Sequence, residues 1–115
     1  IVSVAAASPV LAAPIDLSKP YGDKRGCDYR LDTQYREELM LLLTATEMTS
    51  TVSLCSFTKT EINTDGSLRL SASCAEEGEA GETPAMFTVR RGTEPETLII
   101  FNEDDIVFGE VSLCK

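Results

Sequence analysis

Four cysteines carry the most obvious chemistry in this chain of 115 residues. None of them has the close CxxC spacing of paired zinc ligands, and the chain contains no histidine, the commonest metal ligand. Four cysteines in a short exported chain are typical of two disulfides, and the N-terminal residues described below indicate export. We therefore expect two disulfides and no metal or other cofactor.

The spacing of two of these cysteines indicates how they pair. A four-residue turn at 63–66 makes a β-hairpin that places Cys55 opposite Cys74, but it puts charged side chains into the face that must be buried. A shift by one residue pairs Ile62 with Leu68 and repairs that face, but it separates the thiols. A β-bulge would satisfy both demands. The resulting prediction is two bonds, Cys55 with Cys74 and Cys27 with Cys114.

Two acidic segments could contact a cation. Neither has the regular ligand spacing of a specific calcium loop, so we expect solvated turns that are candidate interaction loops. Their residues are Glu76, Glu77, Glu79 and Glu82 in the first segment, and Asn102, Glu103, Asp104 and Asp105 in the second.

The charge distribution narrows the classes of partner. The formal net charge is −9, and residues 61–115 hold twelve acidic and four basic side chains. Nucleic acids and anionic membranes require a basic surface, so neither is an expected partner, whereas a cationic protein or a small ligand is. No GxSxG motif is present, and the clustered carboxylates are adjacent in sequence. The sequence thus predicts non-catalytic binding, with a structural or assembly role in the cell envelope or a carboxylate-based hydrolase as alternatives.

The N-terminal third is the least regular part of the chain. Residues 1–12 resemble the end of a secretory signal, which predicts a periplasmic or secreted protein without membrane insertion. Residues 13–26 are rich in proline and glycine and predict an extended segment before a single β domain at 27–115. Residues 33–43 are ambiguous: a short helix could form there, although the pattern favours a strand at 38–44.

The remaining elements are predicted as strands. The segment 67–74 alternates apolar and polar side chains, which is typical of a strand with one buried face. Similar arguments predict strands at 49–60, 85–91, 98–101 and 106–113. With 38–44, these six strands predict a mainly all-β fold, an antiparallel meander that closes into a small barrel or folds into a sandwich.

In size, export and the position of Cys114 near the C-terminus, the chain resembles the small barrels that bacteria export as lysozyme inhibitors. The Ser-Gly-x-x-Tyr stretch associated with one such family is absent, because no serine precedes a glycine and the last tyrosine is Tyr35. The resemblance therefore assigns no functional residue.

Overall fold

The computed structural model describes residues 15–31 and 40–115. The predicted signal remnant at 1–12 and the first part of the ambiguous segment 33–43 lie outside these ranges. The described residues form eight strands and one helix, namely β1 Tyr21–Gly22, α1 Lys24–Leu31, β2 Leu41–Leu43, β3 Glu47–Ser50, β4 Ser53–Ile62, β5 Leu68–Glu76, β6 Glu82–Arg91, β7 Thr97–Phe101 and β8 Val107–Leu113.

These strands close into an antiparallel barrel. Each strand pairs with the next in chain order, and β1 pairs with both β2 and β8. The mainly all-β, disulfide-stapled meander is confirmed, and of the two predicted closures the barrel is the observed one. The alternation in β5 behaves as predicted: Leu68, Leu70, Ala72 and Cys74 are buried in the core, while the residues between them face outward.

The barrel has eight strands, compared with a predicted number of about six, because β1 is an additional strand and the single strand expected at 49–60 is a hairpin. β3 ends at Ser50, β4 begins at Ser53, and the chain turns between them. The Ser50 hydroxyl accepts a hydrogen bond from the Ser53 N–H at 3.1 Å and contacts the Ser53 hydroxyl at 2.8 Å. Serine hydroxyls therefore stabilise a turn that contains no glycine or proline.

The segment predicted as extended at 13–26 contains the short strand β1, and it departs from the prediction only at Lys24, where α1 begins. Asp23 is the N-cap of that helix, because its Oδ1 accepts the Gly26 N–H at 2.6 Å. In the ambiguous segment, residues 41–43 form a buried strand rather than a helix, which confirms the favoured interpretation for the part that the structure describes.

The hairpin contains the bulge that its two registers required. Cys55 pairs with Cys74 and Ile62 pairs with Leu68, and the register shifts between Phe57 and Lys59. One extra residue in β4 thus aligns the thiols at one end and the apolar face at the other.

Both disulfides have the predicted partners. Cys55 and Cys74 lie 4.0 Å apart at Cα, inside the core, and Cys27 and Cys114 lie 5.5 Å apart, joining α1 to the end of β8. Two disulfides are consistent with an oxidising environment. Within the described ranges, no helix is long and apolar enough to cross a membrane.

Candidate functional site

The barrel has a seam where β1 is too short to join β2 to β8 along their whole length. β1 pairs with Ser112 and Leu113 of β8, and the chain then leaves the sheet to form α1. Among the described residues, no strand pairs with β8 on this side from Val107 to Val111. Within the part of the chain that the structure describes, an unpaired strand edge therefore borders the seam.

At the opposite edge of the seam, Asp23 forms hydrogen bonds with the main-chain groups of β2. Its main-chain N–H donates to the Leu41 carbonyl at 3.0 Å, and its Oδ1 accepts the Leu41 N–H at 3.2 Å. The same Oδ1 caps α1 through Gly26. The carboxylate thus replaces the strand pairing that ends with β1, and its role is structural.

An apolar groove of about 590 Å³, the seam groove, lies beside this edge. Its floor is buried Met40 and Leu41, and its walls include Val52 and Phe108, which are 54% and 43% exposed. Gly109 allows the floor to close, because a Cβ at this position would lie 2.5 Å from Leu41 Cδ2. The groove is lined by Asp23, Met40, Leu41, Ser50, Thr51, Val52, Phe108, Gly109 and Glu110.

The ring of Phe108 is fixed by its position in the sheet. Phe101 pairs with Val107 and Ile100 pairs with Gly109, so Phe108 is the extra residue of a bulge. Its ring packs edge to face against buried Phe87, with 5.5 Å between the ring centroids. One face of the groove is therefore a preformed aromatic wall.

The surroundings of the seam groove are acidic. The Glu77 N–H donates to the Val52 carbonyl at 2.7 Å, which attaches the first predicted acidic loop to the wall of the groove. Asp23 and Glu110 line the groove itself, and no basic side chain of the described residues does so. Glu82 accepts a hydrogen bond from the Ser73 hydroxyl at 2.7 Å and lies against the sheet. The groove thus joins an apolar interior to an acidic rim.

The second predicted acidic loop borders a different groove, the arginine groove, on the outer face of β5 and β6. This groove measures about 710 Å³ and is polar. Its floor contains Arg69, Met86, Thr88 and Arg90, and the β4–β5 and β7–β8 turns form its walls. It is lined by Ile62, Asn63, Thr64, Asp65, Ser67, Arg69, Met86, Thr88, Arg90, Asn102, Glu103 and Asp105.

Hydrogen bonds hold both turns of the arginine groove. Asp65 Oδ1 accepts the hydroxyl and the N–H of Ser67, and these bonds, together with the positive charge of Arg90, lower the pKa of Asp65 below its ordinary value. In the other turn, Asn102 Oδ1 accepts the N–H groups of Asp104 and Ile106 at 2.9 and 3.0 Å. The walls are therefore preorganised, and Asp65 remains ionised.

The structure does not bring the two predicted acidic loops together. The loop with Glu76, Glu77 and Glu79 lies at one end of the seam groove, and the loop at 102–105 forms a wall of the arginine groove. No three acidic or cysteine side chains of the described residues are grouped so that they could hold a metal ion. Each loop contributes negative charge to a separate groove.

Sequence reasoning missed the residues that line the seam groove. Val52 and Phe108 lie in segments predicted as strands, where an apolar residue normally indicates core. A capping signal was present at Asp23, three residues before the Gly26 N–H that it accepts. Arg69 and Arg90 lie on the polar faces of their strands, but their proximity depends on the pairing of β5 with β6.

No protein-family model, curated protein or solved structure was found to match this chain.

Proposed function

We propose that this chain is an exported, non-catalytic binding domain that holds a basic segment of a partner protein in the seam groove. The observation that carries the proposal is an apolar groove with an acidic rim beside an unpaired strand edge. The periplasm or the extracellular space is its proposed location, because disulfides persist in oxidising compartments.

The shape of the seam groove suits one or two apolar side chains. Its volume of about 590 Å³ falls within the common range for ligand pockets. Burial of one Leu, Val or Phe side chain against Met40, Leu41 and Phe108 would contribute about 1.5–3 kcal/mol before the cost of ordering the segment. An apolar side chain is therefore the expected anchor.

The charge around the groove selects the residues beside that anchor. Asp23 and Glu110 line the groove, and the main chain of the acidic loop that contains Glu77 is hydrogen-bonded to Val52 in its wall. Lysine or arginine next to the anchor would meet opposite charge, and aspartate or glutamate would be repelled. Complementary charge also accelerates the encounter, most strongly at low salt.

A peptide array tests the proposal directly. We would probe immobilised pentapeptides that have Leu, Val, Phe or Met at the centre and Lys or Arg, Ser, or Glu at the flanks. The full disulfide-bonded protein should be retained by the basic apolar peptides and not by the acidic ones. Amide shifts on titration with the best peptide should be largest at Val52, Phe108 and Gly109.

Two matched variants then locate the binding site. Val52→Asp places a charge in the wall of the groove at an exposed position and should weaken peptide binding by about tenfold or more. Ile106→Asp makes the same kind of change at a side chain that is 61% exposed and lies outside the groove, so it should have no effect. Equal retention of acidic and basic peptides, absence of retention, or equal behaviour of the two variants would refute the proposal.

A further inference from the structure

We infer that the arginine groove is a second binding site, for a small acid whose carboxylate has hydrogen-bond donors beside it. This site lies on the outer face of β5 and β6 and shares no lining residue with the seam groove. The arginine groove is therefore independent of the site proposed in the seam groove.

Arg69 is the side chain that would bind the carboxylate. Its Nε donates to the Met86 Sδ at 2.9 Å, so the guanidinium lies against Met86 on the floor of the groove. A thioether is a weak, uncharged acceptor, so this contact orients the guanidinium without neutralising it. Glu61 lies directly opposite Arg69 in the sheet but forms an ion pair with Lys59 at 3.7 Å. Arg69 forms no ion pair within the described residues and keeps its two terminal nitrogens for a bidentate contact.

Arg90 supplies a second, more restrained positive charge. Arg69 pairs with Thr88 across the sheet, and Arg90 follows two residues later on the same face. In this diagonal arrangement the two residues lie about 7–8 Å apart, and their Cβ atoms are somewhat closer. Arg90 stacks on Phe101 at 5.0 Å from the ring centroid and lies 3.6 Å from Asp105. Two guanidinium groups thus flank the Thr88 hydroxyl on the floor of the groove.

The acidic walls of the arginine groove determine which groups the ligand must have beside its carboxylate. Asp65, Glu103 and Asp105 line the groove, so its carboxylates outnumber its two arginines. A simple anion would be repelled by these walls, whereas a ligand with N–H or O–H donors beside its carboxylate would satisfy both floor and walls. Amino acids and uronic acids share this chemistry, with an ammonium group in the first and hydroxyl groups in the second.

A titration of the oxidised, full-length protein followed by amide shifts tests the site. The probes are L-serine, D-glucuronate and acetate, of which acetate has a carboxylate without neighbouring donors. At least one of the first two should cause saturable shifts at Arg69, Thr88 and Arg90 with a millimolar Kd. Acetate should bind at least about tenfold more weakly. The probe that binds more tightly identifies the source of the ligand.

Substitutions on the floor of the arginine groove distinguish a specific binding site from general electrostatic attraction. Arg69→Gln should weaken binding by about tenfold or more, and Arg69→Lys should weaken it several-fold, because lysine keeps the charge but loses the bidentate fork. Met86→Leu should also weaken binding, because it removes the sulfur that orients Arg69. Lys24→Gln, a distant and highly exposed change, is the control and should have no effect.

Three outcomes would overturn the inference. They are no saturable shift with L-serine or D-glucuronate up to about 50 mM, equal binding of acetate, and unchanged binding in Arg69→Gln. Val52→Asp should leave this binding unchanged, so the arginine groove can fail or succeed independently of the seam groove.

Discussion

The substitution Gly26→Ala sets helix propensity against the packing of α1. Alanine is favoured over glycine inside a helix by about 1 kcal/mol, so propensity alone predicts a more stable protein. In the structure, however, α1 lies against β2 at this position. A Cβ on residue 26 would collide with the Leu41 carbonyl oxygen and lie 2.6 Å from the Leu41 carbonyl carbon. Backbone atoms cannot rotate away, so the helix must move.

The expected cost follows from what that movement breaks. Overpacking against a fixed neighbour costs about 1–3 kcal/mol. Displacement of α1 also stretches the bond of 2.6 Å from the Gly26 N–H to the Asp23 carboxylate, and bonds to charged groups contribute about 1.5–3 kcal/mol. After the gain in helix propensity is subtracted, the net loss in the free energy of unfolding is about 1.5–5 kcal/mol.

Urea unfolding of the oxidised protein measures this loss. With an m value near 1–1.5 kcal/mol per molar, the midpoint should fall by about 2 M. Lys24→Ala in the same helix is the control, because the Lys24 side chain is 88% exposed, and its unfolding free energy should change by about 0.5 kcal/mol or less. A Gly26→Ala protein as stable as the parent would refute the close approach of α1 to β2.

Two further predictions concern the disulfides and the pH dependence. Replacement of Cys27 and Cys114 by alanine opens a loop spanning 87 residues and should lower the free energy of unfolding by about 4–5 kcal/mol in a calorimetric or urea measurement. The lowered pKa of Asp65 contributes stability above the pKa of the unfolded chain, and that stability is lost as pH falls through the folded pKa. Ser67→Ala should raise the pKa of Asp65 toward its unfolded value, as measured by NMR titration of its carboxyl carbon, so the stability that Asp65 contributes becomes smaller and its loss is complete at a higher pH.

The hairpin of β4 and β5 shows what local pattern can predict. Alternation fixed which side chains of β5 are buried, and the conflict between Cys55 opposite Cys74 and Ile62 opposite Leu68 required an extra residue in one strand. Two separate demands on one register therefore carried enough information to predict a bulge. The residue at which it occurs could not be predicted, because several positions in β4 satisfy both demands.

The turn between β3 and β4 and the strand β1 could not be predicted from local pattern, because tertiary contacts define them. The turn between Ser50 and Ser53 depends on hydroxyl hydrogen bonds in a sequence of high β propensity. β1 has two residues and exists because Leu43 and Leu113 accept Tyr21 between them. No periodicity can be read from two residues, so the closure of the barrel could not be derived from pattern alone.

The same shortness of β1 produces the seam groove. Asp23 ends the strand by capping α1 and by bonding to Leu41, and the bond from Cys27 to Cys114 ties the helix to the end of β8. Among the described residues, β1 pairs with β8 only at Ser112 and Leu113, and a longer β1 would extend this pairing along β8. The disulfide that staples the domain therefore also ties the helix to the end of β8, beside the seam groove. The fold positions the proposed binding site by ending a strand early, and the acidic residues around that site then determine the charge of its partner.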